Sequence, residues 1–170
     1  MTEATLTVTR AVATDRRELF AGLVEAHWDR LVRLARSVVG DLEAEDAAQE
    51  GLIAAWQSLA QLRDVSRFGP WVTRIVFRRC LRRTRSLRRR VPLESAPVAA
   101  HSPDPADRIA VWQVLARLAP RQRAVLHLTV VEGMNDREIA DALGIAAASV
   151  RAHRRRARAG VERLVKGAGS

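Results

Sequence analysis

Cysteine is nearly absent from this sequence, and that absence limits the kinds of protein that the chain can be. Cys80 is the one cysteine among 170 residues, which excludes a disulfide within the chain and a cysteine-based metal site. No stretch approaches the roughly 18 consecutive apolar residues that a membrane-spanning helix needs, and no charged segment followed by an apolar run opens the chain. We therefore expect a cytoplasmic protein without membrane insertion.

Aromatic residues (4%), glycine (9) and proline (6) are also scarce, whereas apolar residues make up 48% of the chain. The apolar residues recur at three- and four-residue spacing, which predicts an all-α fold. Four of the prolines fall within residues 91–106, a composition typical of a linker. The predicted organisation is a mobile tail over 1–14, a helical domain over 15–90, a flexible linker over 91–107, a second helical domain over 108–165, and a tail over 166–170.

The net charge of +10 is unevenly distributed along the chain. Residues 1–66 carry 7 basic and 11 acidic groups, residues 67–90 carry 10 arginines and no acid, and residues 108–170 carry 12 basic and 5 acidic groups. Two basic blocks that are separated by an acidic segment indicate two separate contacts with a polyanion. Because nearly all the cations are arginine, bidentate contacts with phosphates or base edges are favoured.

The C-terminal half has the pattern of a helix-turn-helix. Asn135 and Glu138 have the spacing of a helix cap and its partner at the third helical position. Gly144 ends this short helix, and the helix that follows is rich in arginine. Two short helices joined by a glycine-containing turn are typical of the DNA-binding motif that places its second helix in the major groove.

Helical geometry predicts which arginines of the second helix reach DNA. Arg151 and Arg155 lie one turn apart and away from the apolar row, so both can enter one groove and contact guanine. Arg158 lies further along, where a phosphate contact is favoured. Arg154 falls inside the apolar row, and we expect its side chain to extend outward to water.

The second helix of the N-terminal half carries Asp46, Gln49, Glu50 and Ile53 on one stripe. An aliphatic residue beside carboxylates is typical of a protein-docking surface. Two other interpretations stay open at this level: a solvated acidic face, and a Mg²⁺ site, although no histidine supports the carboxylates.

The third helix is also two-sided. Trp71 stands at the head of a row that contains Arg74, Arg78 and Arg82, and this arrangement favours single-stranded nucleic acid, on which aromatic rings stack while cations follow the backbone. A core tryptophan with a basic exterior is the alternative. Cys80 lies on the apolar side, which predicts a buried and inert thiol.

In this order, the motifs resemble the extracytoplasmic-function (ECF) group of the sigma-70 family. The segment 40–56, with its Ala44-Glu45-Asp46-Ala47-Ala48-Gln49-Glu50 core, is similar to the group's polymerase-binding segment, and 71–75 is similar to the start of its promoter-melting helix. Residues 118–126 and 138–145 resemble its −35-reading domain. The resemblance departs from the family at Arg78, where an asparagine is common nearby, and at Arg154, where an aliphatic residue is usual.

The resemblance implies a promoter-reading subunit of RNA polymerase that is not itself an enzyme and needs no cofactor or metal. Its core-binding residues would be Asp46, Gln49, Glu50 and Ile53. Its −10 contacts would be Arg63, Arg67, Phe68, Trp71, Arg74, Arg78 and Arg82, with Arg63–Phe68 forming a loop that captures a flipped base. Its −35 contacts would be Ser149, Arg151, Ala152, Arg155, Arg156 and Arg158.

The implied partners are core RNA polymerase (the clamp helices of the largest subunit and the flap region), promoter DNA and an anti-sigma factor. Two alternatives were weighed. A conventional helix-turn-helix transcription regulator would leave the acidic stripe without a task, and a metal-dependent nuclease using Asp46 and Glu50 lacks a histidine or lysine partner.

Overall fold

The computed structural model describes residues 3–90 and 115–168, and within these ranges it is helical and contains no strand, as the apolar spacing predicts. The helices are α1 (Glu3–Val39), α2 (Asp41–Ser58), α3 (Phe68–Arg90), α4 (Pro120–Val130), α5 (Asp136–Leu143) and α6 (Ala147–Ala168). Two short 3-10 turns, Leu59–Gln61 and Val65–Arg67, connect α2 to α3. The linker predicted over 91–107 and most of the helix predicted to follow it lie outside the described residues.

Helix α1 begins at Glu3, twelve residues before the start that the sequence predicts at Asp15. The structure thus places helix where the sequence predicts a mobile tail over 1–14, and the tail stays a prediction. No glycine or proline precedes Gly22, and the β-branched threonines and valines of the segment lower helix propensity only modestly, so a helix that the packed part has nucleated can extend through it. At the other end of the chain, α6 runs three residues past the predicted boundary at 165, to Ala168.

Helices α1, α2 and α3 pack together as the N-terminal domain. Helix α1 ends at Gly40, whose φ of 93° reverses the chain into α2, and the Arg36–Asp41 ion pair at 2.6 Å spans this junction. The buried residues of α2 are all small: Ala44, Ala47, Ala48, Gly51 and Ala55. The larger α2 side chains Leu52 and Trp56 are half-buried.

Helices α5 and α6 form the helix-turn-helix, and the predicted capping box is confirmed. The Asn135 side chain accepts hydrogen bonds from the backbone N–H groups of Arg137 (2.9 Å) and Glu138 (3.1 Å), while the Glu138 carboxylate accepts from the Asn135 backbone at 2.8 Å. Gly144 ends α5 in the left-handed conformation, with φ of 65°. Ile139 and Leu143 of α5 share a buried core with α4 and with Val150 of α6.

The two domains are in contact with each other. Helix α1 packs against α4, and α3 packs against α5. The buried apolar residues of both halves form one continuous cluster, so the structure holds the N-terminal and C-terminal domains side by side.

The packing around two glycines predicts opposite effects on stability when each is replaced by alanine. A Cβ at Gly51 would lie 2.6 Å from the Val76 Cγ2 atom and 2.9 Å from its Cα atom, so Gly51→Ala should lower the free energy of unfolding by about 1–3 kcal/mol through overpacking. Gly22, in the middle of α1, has open space where a Cβ would lie. Gly22→Ala should therefore raise the free energy of unfolding by about 0.5–1 kcal/mol. Urea denaturation measures both values, and a neutral Gly51→Ala would contradict the close approach of α2 and α3.

Candidate nucleic-acid and protein-docking surfaces

The four residues predicted to dock a protein lie together on the outer side of α2. Asp46, Gln49, Glu50 and Ile53 are all exposed, and Ile53 has 59% of its surface open to solvent. We call this set the docking face. It presents an aliphatic side chain beside carboxylates at the surface, which is the composition that the stripe predicts.

Arg83 of α3 reaches over the acidic part of the docking face. Its Nη1 atom donates to Glu50 Oε1 at 2.6 Å, and its Nη2 atom lies 3.4 Å from Asp46 Oδ2. It also pairs with Glu43. Burial alone would lower the pKa of Arg83, but the hydrogen bond to Glu43 and the three carboxylate charges raise it above its usual value. The sequence did not reveal this contact, because nothing distinguishes Arg83 from its arginine neighbours.

The guanidinium also bears on the metal hypothesis for these carboxylates. Its nitrogen atoms contact both Asp46 and Glu50, so it lies where a divalent cation bridging the two carboxylates would have to bind. Among the residues that the structure describes, no group of three metal-ligating side chains comes together. The arrangement does not favour a nuclease acting through Asp46 and Glu50.

The predicted −10 residues separate into two groups. Arg63, Arg78 and Arg82 are exposed, and Trp71 is half-buried. Arg67 and Arg74 instead contact Asp141 of α5, with Arg67 Nη2 at 2.6 Å from Asp141 Oδ2 and Arg74 Nη2 at 3.1 Å from Asp141 Oδ1.

Phe68 is a correction to the predicted −10 surface, since its side chain is 1% exposed. Its ring contacts those of Phe20 at 5.9 Å, His27 at 5.4 Å and Trp71 at 5.9 Å between centroids. Phe68 therefore lies in the core of the N-terminal domain, and its ring is not on the surface predicted to hold a flipped base. Its partners on α1 are more than 40 residues away in the chain, and no local pattern predicts their approach.

The predicted base-capturing loop is a short turn fixed by Asp64. The Asp64 carboxylate accepts hydrogen bonds from the Ser66 hydroxyl at 2.7 Å and the Ser66 backbone at 2.9 Å. These two bonds hold the pKa of Asp64 below its usual value. The carboxylate therefore stays charged and keeps the turn that carries Arg63 and Arg67 in place.

The outer side of α6 carries the residues that were predicted to read the −35 element. Arg151, Arg155, Arg156 and Arg158 are exposed, and Ser149 and Ala152 are half-buried among them. Val150 and Ala157, on the opposite side, are fully buried. The helix therefore turns its arginines outward on a packed base, as a DNA-reading helix requires.

Arg154 does not extend outward, contrary to the prediction. Its guanidinium pairs with Asp136 at the start of α5, and 24% of the side chain is exposed. Arg151 lies 3.8 Å from the same carboxylate. The Asp136 carboxylate thus neutralises the inward-facing charge of Arg154. Arg154 joins the two helices of the motif and does not lie on the exposed arginine face.

Two other titratable side chains are packed into the protein. Cys80 is fully buried, and burial raises the pKa of its thiol to about 12, which confirms the inert thiol that its apolar position predicts. His153 is half-buried; burial, then the charges of Arg121 and Arg156, lower its pKa. The imidazole is therefore neutral near pH 7 and adds no charge to the arginine face.

Comparison with known proteins identifies the two domains. The family description "Sigma-70 region 2" matches residues 23–90, and "Sigma-70, region 4" matches residues 108–159. The sequence is 34% identical to the ECF RNA polymerase sigma factor SigM of Mycobacterium tuberculosis over 158 residues, which cover 91% of this chain and 80% of SigM.

A second relative agrees with this assignment, and one solved structure shares the fold. The chain is 31% identical over 159 residues to the "Probable RNA polymerase sigma factor RfaY" of Xanthomonas campestris; the match covers 85% of this chain but spans only 40% of that relative's length. The fold matches that of the sigma factor RpoE of Bartonella quintana, solved in complex with the anti-sigma factor NepR, with a TM-score of 0.68 at 22% identity, covering 89% of this chain and 97% of that one.

The structure is that of a two-domain helical protein, with a helix-turn-helix whose second helix exposes arginines and a separate acidic face on α2 that exposes Ile53. The chain belongs to the ECF sigma factors of the sigma-70 family, which are transcription initiation factors that direct RNA polymerase to promoters. None of the described helices is long and apolar enough to cross a membrane.

The burial of Phe68 makes a prediction that separates core from nucleic-acid roles. Phe68→Ala should lower the free energy of unfolding by about 3–5 kcal/mol, since it removes a buried ring from the core. Arg63→Ala, five residues earlier and exposed, should leave it within about 0.5 kcal/mol of the wild-type value. Chemical denaturation of both variants checks the difference. If Phe68→Ala had normal stability but bound the −10 strand more weakly, Phe68 would instead be a surface residue that contacts DNA.

Proposed function

We propose that this sigma factor uses three separate surfaces during initiation: the docking face of α2 for core RNA polymerase, the arginine side of α3 for the −10 element, and the outer side of α6 for the −35 element. The observation that carries the proposal is the placement of the three surfaces on three different helices. A conventional helix-turn-helix regulator would need only the third.

The docking face supports polymerase binding by its composition. Ile53 is an exposed aliphatic residue next to carboxylates, and such a group favours a protein partner with an apolar contact and basic surroundings. The family resemblance assigns this partner as the clamp helices of the largest polymerase subunit. It assigns a second contact, between the C-terminal domain and the flap region of the polymerase.

The α3 surface supports −10 binding through charge. Arg78 and Arg82 are exposed one turn apart, and an arginine row that follows a half-buried aromatic suits a melted strand. Arg63, Arg67, Trp71 and Arg74 extend this surface toward the start of α3. Phe68 stabilises it from within and makes no contact with DNA.

The α6 surface supports −35 reading through geometry. Arg151 and Arg155 are exposed one turn apart near the start of the reading helix, the part of such a helix that contacts base edges. Arg156 and Arg158 contact phosphates and set the orientation, and Ser149 and Ala152 shape the surface between the arginines.

The biological setting follows from the family. The protein acts in the cytoplasm as a non-catalytic subunit of the polymerase holoenzyme, and an anti-sigma factor controls its release, as the complex of RpoE with NepR illustrates for that protein. The decisive experiment is transcription in vitro from genomic DNA with purified core polymerase. Addition of the protein should start transcripts at a defined set of promoters, whereas a repressor or a simple DNA binder would start none.

Truncation of the docking face should weaken core binding without unfolding the protein. We expect Ile53→Ala to reduce affinity for core polymerase by about tenfold or more, the loss typical of an apolar residue at the centre of an interface. Leu19→Ala removes a similarly exposed aliphatic residue from α1 and should leave the affinity unchanged. Biolayer interferometry with immobilised core enzyme measures both. Equal affinities for the two variants would remove the docking assignment.

Substitutions along α6 should distinguish base reading from phosphate contact. Arg151→Ala should reduce discrimination against a substituted −35 element by about 1–3 kcal/mol, the share of one bidentate contact. Arg158→Ala should weaken binding to all sequences alike and flatten the salt dependence. Titration of matched and substituted duplexes at several salt concentrations separates the two effects. A uniform loss for Arg151→Ala would make it a phosphate contact.

A further inference from the structure

Three carboxylates of α2 share one arginine of α3. Glu43, Asp46 and Glu50 follow one another at three- and four-residue spacing, so they lie side by side along the helix. The Arg83 guanidinium contacts all three: its Nε atom donates to Glu43, its Nη1 atom donates to Glu50 Oε1 at 2.6 Å, and its Nη2 atom lies 3.4 Å from Asp46 Oδ2. One cation therefore faces three anions, and two of those anions belong to the docking face.

The four side chains of this cluster differ in their exposure to solvent. The exposed fraction is 23% for Arg83, 32% for Glu43, 50% for Glu50 and 68% for Asp46. The arginine is therefore the least accessible member, and the two acids of the docking face are the most accessible. A carboxylate offers about four acceptor positions, so the bond from Arg83 leaves Glu50 able to accept further hydrogen bonds from a partner protein.

The distances show that Arg83 holds the two acids of the docking face unequally. The bond to Glu50, at 2.6 Å, has the length of a strong charge-assisted hydrogen bond. The contact with Asp46, at 3.4 Å, is at the long limit of hydrogen bonding. Arg83 therefore restrains the Glu50 side chain much more than the Asp46 side chain.

A cation at this position favours binding of a partner more than it favours folding. Like charges three or four residues apart on a helix repel each other, and a long acidic side chain loses conformational entropy when a partner fixes it. A guanidinium bound to the carboxylates reduces both costs, because it balances charge and restricts the side chain before the partner arrives. Ion pairs that are partly open to solvent contribute little to stability, so the benefit is expected in binding.

We propose that Arg83 is a positioning residue of the docking face, which fixes the Glu50 carboxylate in the orientation that binds core polymerase without contacting the polymerase itself. The inference rests on the proposed function, since it takes the docking face as the core-binding surface. It also separates Arg83 from Arg78 and Arg82 of the same helix, which are exposed and are proposed to bind the −10 strand. Helix α3 then has a task in polymerase binding as well as in DNA binding.

The experiment measures the dissociation of the full chain from immobilised core polymerase by biolayer interferometry. It compares Arg83→Ala with Arg85→Ala, because each removes one positive charge from α3 and Arg85 is exposed and outside the docking face. Arg83→Ala is also combined with Glu50→Ala. Circular dichroism at the assay temperature checks that each variant is folded. Arg83→Gln keeps most of the side-chain length and decides the outcome if the alanine variant does not fold.

We expect Arg83→Ala and Arg83→Gln to raise the dissociation rate by about two- to tenfold, the range for one long side chain that has to be ordered on binding. Arg85→Ala should leave the rate unchanged. In the Glu50→Ala background, Arg83→Ala should have no further effect, because the carboxylate that it positions is gone.

Three results would overturn the proposal. An unchanged or lower rate for Arg83→Ala, while Ile53→Ala weakens core binding, would mean that Glu50 needs no positioning. Equal effects of Arg83→Ala with and without Glu50 would mean that Arg83 only holds α2 against α3. Equal effects of Arg83→Ala and Arg85→Ala would make net charge the cause. Failure of the proposed function has a different signature, since Ile53→Ala and Glu50→Ala would then leave core binding unchanged as well.

Discussion

The close approach of α2 and α3 is the constraint on which the N-terminal domain depends. Gly51 and the buried alanines of α2 bring its backbone against Val76 of α3, since a single added methyl group at Gly51 would overlap that residue. At this short distance Arg83 can extend from α3 to the carboxylates of the docking face. The helix proposed to bind the polymerase and the helix proposed to contact the −10 element are therefore packed as one unit, so that docking of α2 would also set the position of α3.

Charge pairing gives this arginine-rich protein its long-range order. Several ion pairs join acids to arginines from other elements of the chain: Glu132 to Arg33, Asp141 to Arg67, and Asp136 to Arg154. Ion pairs at the surface contribute about 1 kcal/mol or less each, and these three stay partly open to solvent. They determine which surfaces face each other more than how stable the fold is, and an arrangement held in this way can be exchanged for one with nucleic-acid phosphates.

Local patterns in the sequence were sufficient for the helices, the capping box and the turn at Gly144, because neighbouring residues determine each of them. They were also sufficient for the exposed faces of α2 and α6, which follow from helical periodicity. They failed where the partner is distant. The burial of Phe68 depends on Phe20 and His27 of α1, and the inward turn of Arg154 depends on Asp136. The helical start of α1 at Glu3 was missed because a segment without strong periodicity can still extend a packed helix.

Asp141 shows how one residue can be unfavourable for its own helix and useful to the molecule. A carboxylate in the last turn of α5 opposes the helix dipole, which favours cations at that end. In the first helix of a helix-turn-helix, which crosses the DNA backbone, an acid also gains nothing from nearby phosphates. Both costs are offset when Arg67 and Arg74 surround the carboxylate. The position of this acid is therefore explained by the contact between the domains, and neither the helix nor the DNA accounts for it.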